Sequence, residues 1–108
     1  MRELYRQHLP LLRFIASKNT KRPQVQVLLP TLTRVQLKMI AEIAFNILKG
    51  VIPLPVNAKQ ILGKYIKSLR LLGQPDIPIK KIQKLLTVGV LQALLHVSMP
   101  YIDTLKAP

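Results

Sequence analysis

The order of apolar and polar residues predicts two amphipathic helices in the middle of the chain. From Thr33 to Lys49 apolar residues recur at helical spacing on one side, and polar residues occupy the other. Thr33 and Gln36 have the spacing of a capping box, which marks the start, and Gly50 marks the end. The apolar side consists of Leu37, Ile40, Ile43, Ala44, Ile47 and Leu48.

The second helix is predicted from Asn57 to Leu72, with Gly73 as its stop. Asn57 and Gln60 repeat the capping-box spacing, and Pro53 and Pro55 keep the preceding connector extended. One side of this helix is apolar, and the other carries Lys59, Lys64, Lys67 and Arg70. The two helices should form a hairpin, whose connector is longer than the roughly three or four residues of a DNA-reading helix-turn-helix.

Shorter elements are predicted before this hairpin. A helix should begin near Pro10, because proline is tolerated in a first turn, and residues 1–9 are either a separate turn or an N-terminal arm. The segment Lys21 to Leu29 alternates like a strand, yet Pro23 after Thr20 resembles a helix start. We favour a short helix there, because a single strand would have no partner in this sequence.

The last predicted helix begins at Asp76 as a cap, with Pro78 in its first turn. Lys80, Lys81 and Lys84 form its basic side. From Leu85 to Val97 the segment is apolar on nearly all sides, which is typical of a helix surrounded by its neighbours, by a partner or by lipid. Residues 98–108 are predicted to be a C-terminal tail.

These patterns predict an all-α fold, a small bundle of four or five short helices around the central hairpin. The 108 residues fit one domain, because a single core is usual at this length. Two of the five aromatic residues, Phe14 and Tyr65, fall on apolar faces and are expected in the core. Phe45 lies off the main apolar stripe and is either a protein contact or part of a broader buried face.

The charge balance changes the picture most. The chain has 17 Lys and Arg residues against 4 Asp and Glu residues, which gives a formal net charge of +13. Such self-repulsion indicates a polyanionic partner, either nucleic acid or an anionic membrane surface. A solvated helix face normally mixes both signs, whereas the candidate nucleic-acid-binding residues are all cations: Lys59, Lys64, Lys67, Arg70, Lys80, Lys81 and Lys84.

Several function classes find no support. The chain has no cysteine, and His8 and His96 lack partners at ligand spacing, so we expect no metal site and no cofactor. No serine lies in a nucleophile elbow and no glycine-rich phosphate loop is present, so we expect no catalytic residues and no enzyme activity. Charged residues interrupt the apolar patch near the N-terminus, so we expect no secretion signal and an intracellular location.

Three segments carry a resemblance to a known family: IAEIAFNILKGVIPL at Ile40–Leu54, LGKYIKSLRLLG at Leu62–Gly73 and KKIQKLL at Lys80–Leu86. They resemble small basic proteins encoded by adenovirus-like mobile elements and viruses of animals, of the Maverick or Polinton and adintovirus type. The resemblance implies a virion or genome-associated protein, found in the virion or the host nucleus. Those relatives tend to carry Gly-Gly where this chain has Val88, Gly89 and Val90.

Together these observations predict a non-enzymatic basic protein of virion or core type that binds nucleic acid, double-stranded DNA above all, through phosphate contacts. Lysine predominates over arginine at the candidate residues, which favours phosphate contact over base recognition. A first alternative is a structural minor capsid protein or another protein that docks on a partner. A second is a membrane-active amphipathic protein that uses the basic residues before Leu85 and the apolar segment after it.

Overall fold

A computed structural model describes residues 2–105, and within them the secondary structure is entirely helical. The helices are α1 (Arg2–Gln7), α2 (Leu9–Ala16), α3 (Arg22–Leu28), α4 (Arg34–Leu48), α5 (Ala58–Gly63), α6 (Ile66–Leu72), α7 (Ile79–Leu85) and α8 (Val88–Asp103), with a 3₁₀ turn at Leu29–Thr31. The predicted all-α class is confirmed. The described helices outnumber the predicted four or five mainly because two predicted helices are each divided in two.

Helix α4 begins and ends as its sequence predicts. Thr33 Oγ1 accepts a hydrogen bond from the Gln36 amide at 3.1 Å, and Gln36 Oε1 accepts one from the Thr33 amide at 2.9 Å. At the other end Gly50 has a φ of +76°, and the Val51 amide donates to the Asn46 carbonyl at 2.9 Å. This is the left-handed glycine termination of a Schellman motif, so both predicted caps are confirmed.

The predicted helix Asn57–Leu72 is broken at Lys64 and Tyr65 into α5 and α6. Helix α5 packs against α8, whereas α6 packs against α4 and α7, and one straight helix could not follow both directions. Gly63 weakens the helix at this point because glycine has low helix propensity. The hairpin partner of α4 is therefore α6. The predicted Asn57 cap is wrong, since the Asn57 side chain makes no capping hydrogen bond.

The predicted C-terminal helix is also divided, and α7 and α8 meet at 93°. The predicted Asp76 cap is wrong: α7 starts at Ile79, and Asp76 lies in a turn with a φ of +58°. The proline at position 78 disfavours helical geometry at the residue before it, which keeps Asp76 outside the helix. Helix α8 has its own cap, because Thr87 Oγ1 accepts from the Val90 amide at 3.2 Å.

Helix α8 is the central element of the core. It packs against α2, α3, α4 and α5. Its buried residues are Val88, Val90, Leu91, Leu94, Leu95, Val97, Ser98, Met99 and Ile102. The apolar segment Leu85 to Val97 is thus surrounded by neighbouring helices of the same chain. The predicted tail from residue 98 is wrong as far as Asp103, which is still helical, and residues 106–108 lie outside the described part.

The N-terminal region packs on this core. Helix α2 starts near Pro10 as predicted, and the helix favoured for residues 21–29 is confirmed as α3. The N-terminal arm considered for residues 1–9 is helical from residue 2 to residue 7, and its Tyr5 is 3% exposed. Phe14 is 44% exposed, so its predicted place in the core is wrong, because the buried edge of α2 is formed by Leu12 and Ile15.

Candidate nucleic-acid interface

Five of the seven predicted cations lie on two adjacent helices. Helices α6 and α7 pack against each other and both pack against α4, so the cations on their free sides belong to neighbouring helices. Lys67 and Arg70 occupy the free side of α6, and Leu69 and Leu72 form its buried side. On α7 the buried residue is Ile82. All five cations are exposed, and we call them the α6–α7 face: Lys67, Arg70, Lys80, Lys81 and Lys84.

The other two predicted cations are separated from this face by the break between α5 and α6. Lys59 and Lys64 are both exposed, but they belong to α5 and its end, and α5 packs against α8. On the helical wheel Lys64 lies near Gln60 and Ile61, while Lys59 lies on a different side of α5. The seven cations therefore do not form the single ridge that one continuous helix would have produced.

Acidic partners for these cations are scarce. Within residues 2–105 the ion pairs are Arg6 with Glu3 at 3.1 Å and Arg13 with Asp103 at 3.0 Å, both at the surface. None of the seven predicted cations makes an ion pair or a side-chain hydrogen bond within this range. Their positive charge is consequently available to an external anion.

The remaining two carboxylates line a crevice of about 300 Å³ between α4 and the connector from α6 to α7. Glu42 and Asp76 lie there with Phe45 and Lys38. The Lys38 ammonium donates to the Ile77 carbonyl at 2.5 Å, which ties the connector to α4. Phe45 is half-buried, and the Lys49 ammonium lies 5.5 Å from the centre of its ring.

A second cationic site lies along the outer side of α8. Two adjacent, shallow concavities of about 410 and 300 Å³ share Ile61, Gln92 and Ala93, so they lie side by side. Their floor follows helical spacing along α8 through Gly89, Gln92, Ala93 and His96. One rim is formed by α5 and the two residues after it, with Gln60, Lys64 and Tyr65. The other rim is the connector from α2 to α3 and the start of α3, with Ser17, Lys18, Thr20 and Arg22. We call this the α8 groove.

The α8 groove is shaped by close packing at its two rims. The Tyr65 hydroxyl lies so near Gly89 that a Cβ atom at that position would approach it to 2.7 Å. Gln92 Nε2 donates to the Thr20 carbonyl at 3.4 Å, which joins the floor to the opposite rim. Tyr65 is half-buried at the rim, so its expected place in the core is only partly correct.

Sequence reasoning identified Lys64 but missed Lys18 and Arg22. These two cations are distant from Lys64 along the chain, and only the packing of α2 and α3 on α8 brings them to one groove. A signal was present in α8 itself, where Gly89, Gln92 and His96 interrupt an otherwise apolar segment. Their spacing of three and four residues places them on one face, which marks the side left uncovered.

Neither a metal-binding cluster nor a single membrane-spanning helix is found among the residues that the structure describes. Between residues 2 and 105 no group of three His, Asp or Glu side chains is placed to hold a metal ion. Over the same range no single helix is long and apolar enough to cross a membrane, and only α7 and α8 taken together have the length and composition, despite their bend.

Comparison with protein-family models, curated proteins and solved structures finds no match to this chain. The resemblance to basic proteins of adenovirus-like mobile elements therefore rests on the three quoted sequence segments.

Proposed function

We propose that this protein binds nucleic acid through phosphate contacts on the α6–α7 face, without selecting a base sequence and without catalysing a reaction. The observation that supports this proposal is the set of five exposed cations on two adjacent helices, with no ion-pair partner between residues 2 and 105. Cations that face solvent without acidic partners can neutralise phosphates and release condensed counterions.

The composition of the face favours phosphate contact over base recognition. Four of its five residues are lysines, which act as point charges, whereas base edges are contacted mainly by bidentate arginine, asparagine and glutamine side chains. Helices α6 and α7 are 7 residues each, about two turns, so neither resembles a long recognition helix. A packaging or genome-associated role follows, and the resemblance to viral basic proteins implies that it takes place in the virion or the host nucleus.

The two alternatives used the segment Leu85 to Val97 as an exposed surface, for a protein partner or for lipid. Most of this segment lies in the core, with Leu91, Leu94 and Leu95 at 0% exposure. This burial removes the apolar surface on which both alternatives depended, and we take nucleic acid as the partner of the exposed charges.

The test compares two double variants that each remove two positive charges. Lys81→Gln with Lys84→Gln changes the α6–α7 face, and Arg34→Gln with Lys49→Gln changes exposed cations near the ends of α4. Binding to two labelled duplexes of unrelated sequence is measured by fluorescence anisotropy over a range of salt. We expect the face variant to lose about tenfold in affinity for both duplexes and to reduce the salt slope by about 0.9 per lost contact.

The control variant should change affinity by less than about threefold, because Arg34 and Lys49 belong to α4 and its end and are not among the proposed phosphate contacts. Equal losses in the two variants would overturn the assignment of the α6–α7 face. A strong preference of the wild-type protein for one duplex would contradict the phosphate-contact mechanism.

A further inference from the structure

The α8 groove places positive charge on both of its sides. Lys18, in the α2–α3 connector, and Arg22, at the start of α3, lie on one rim, and Lys64 lies on the opposite rim. None of the four carboxylates of the chain lines the groove, and none of these cations makes an ion pair within residues 2–105. A cleft lined by one sign of charge concentrates counterions more strongly than a flat surface does.

The groove also presents neutral hydrogen-bonding groups between the charges. Gln60 and the Tyr65 hydroxyl make no side-chain hydrogen bond in the described part of the chain, and both line the groove beside Lys64. Gln92 keeps its carbonyl oxygen free while its nitrogen donates to Thr20. Positive charge combined with amide and hydroxyl groups suits the phosphates and the sugar or base edges of a nucleotide chain.

The dimensions of the groove distinguish a single strand from a duplex. From Gly89 to His96 the α8 residues that line the groove span about 10 Å along the helix axis. Concavities of about 410 and 300 Å³ have the volume of small-ligand sites, so they admit single nucleotides of a strand and do not enclose a duplex. A flexible single strand can lie over Ala93, whereas the Tyr65 hydroxyl occupies the space beside Gly89.

We propose that the α8 groove binds single-stranded nucleic acid, with phosphates held between Lys18 and Arg22 on one rim and Lys64 on the other. The inference rests on the proposed phosphate-binding function. It adds single-stranded nucleic acid as a second ligand, bound at a separate surface of the protein. The α6–α7 face then binds duplex backbones, while the α8 groove binds unpaired strands or ends.

The test uses two triple variants of equal charge change on the full-length protein. The groove variant carries Lys18→Gln, Arg22→Gln and Lys64→Gln, and the face variant carries Lys80→Gln, Lys81→Gln and Lys84→Gln. Affinities for a labelled oligothymidylate and for a labelled blunt-ended DNA duplex are measured at the same salt concentration. We expect the groove variant to lose at least about tenfold for the single strand and less than about threefold for the duplex, with the reverse in the face variant.

A third variant tests the shape of the groove without changing its charge. Ala93→Leu fills the floor with a good helix former, and circular dichroism checks that the protein remains folded. Single-strand affinity should fall severalfold, while duplex affinity stays unchanged. If oligothymidylate binds Ala93→Leu as tightly as the wild type, the strand does not lie on this floor and the proposal is overturned.

The outcomes separate the two proposals. If both triples lose both ligands equally, total charge governs binding and the groove is overturned, while phosphate binding by the protein stands. If the wild type binds oligothymidylate through the groove but binds no duplex, the α6–α7 face is overturned and the groove stands. A third outcome is that anionic phosphatidylserine vesicles bind the wild type but not the groove variant, while oligothymidylate binds neither. The groove would then bind lipid headgroups, and the proposal fails.

Discussion

Gly50 and Gly63 both lie at helix ends, yet the backbone requires glycine at only one of them. Gly50 has a φ of +76°, which is in the left-handed region. Gly63 is the last residue of α5, and its φ lies outside the left-handed region. A Cβ atom would meet nothing within 4 Å at either position, so crowding does not contribute. Any difference between alanine substitutions at the two sites therefore reports backbone conformation.

We expect Gly50→Ala to lower the free energy of unfolding by about 1 to 2 kcal/mol, because an L-residue is strained in left-handed geometry. Gly63→Ala is the matched control and should raise it by about 0.5 to 1 kcal/mol through better helix propensity. Urea unfolding followed by circular dichroism measures both. Equal effects of the same sign would contradict the left-handed termination of α4.

Tyr5 provides a prediction of pH dependence. Burial raises the pKa of its hydroxyl above the ordinary value of 10.0, although the hydrogen bond from Asn46 at 3.3 Å lowers the pKa in part. Above pH 10 the unfolded chain loses this proton more readily than the folded chain. The folded state then holds more protons, so the contribution to stability is present below pH 10 and is lost as pH rises through the folded pKa.

The difference in unfolding free energy between the wild type and Tyr5→Phe should therefore shrink or change sign from about pH 8 to about pH 11. Lysine titration is common to both proteins and cancels in this difference. Guanidinium unfolding at several pH values measures it. A difference that stays constant over this range would show that the hydroxyl is not buried as described.

At the scale of helices, the same capping-box spacing precedes α4 and α5, but it forms a cap at only one of them. Thr33 with Gln36 and Asn57 with Gln60 both match a capping box, but only Thr33 accepts the expected hydrogen bond. Thr33 has extended geometry, with a ψ of 166°, whereas Asn57 has a ψ of −4° and lies within a turn closed by the Ala58 amide and the Pro55 carbonyl at 3.0 Å. An N-cap requires the extended geometry.

We expect Thr33→Ala to lower the free energy of unfolding by about 1 kcal/mol, because the Gln36 amide loses its acceptor. Asn57→Ala has the same spacing without the hydrogen bond, so its effect should stay within about 0.5 kcal/mol. Thermal unfolding monitored by circular dichroism distinguishes the two. A larger loss at Asn57 than at Thr33 would reverse the assignment of the caps.

This contrast shows which parts of the fold local sequence can predict. Periodicity located the apolar faces of α4 and α6 because those faces depend on positions within one helix. The breaks at Tyr65 and Thr87 escaped prediction, since apolar spacing continues across both and the direction of each helix depends on its packing partner. The α8 groove escaped prediction for the same reason, because Arg22 and Lys64 line one concavity only in the folded molecule.

For the whole molecule the net charge of +13 acts against folding, since acidic side chains offset it only at a few surface positions. The radius of gyration is 12.7 Å, close to the roughly 13 Å expected for a compact chain of this length, so the like charges are held near one another. Raising ionic strength from about 0.01 to 0.1 M shortens the Debye length from about 30 to 10 Å. This screening weakens the repulsion between distant cations, while the two surface ion pairs lose little of their attraction because their charges are in contact.

We therefore expect the melting temperature of the wild-type protein to rise by several degrees over this change in salt, about 4 to 8 °C for each kcal/mol gained. The variant Lys81→Gln with Lys84→Gln should melt higher than the wild type at low salt and gain less from added sodium chloride, because two repelling charges are gone. The same variant is expected to bind duplexes more weakly, so the cations on the α6–α7 face would serve binding at a cost to stability. Scanning calorimetry at the two salt concentrations measures this, and a melting temperature that falls with salt in both proteins would show that attraction dominates repulsion in the folded state.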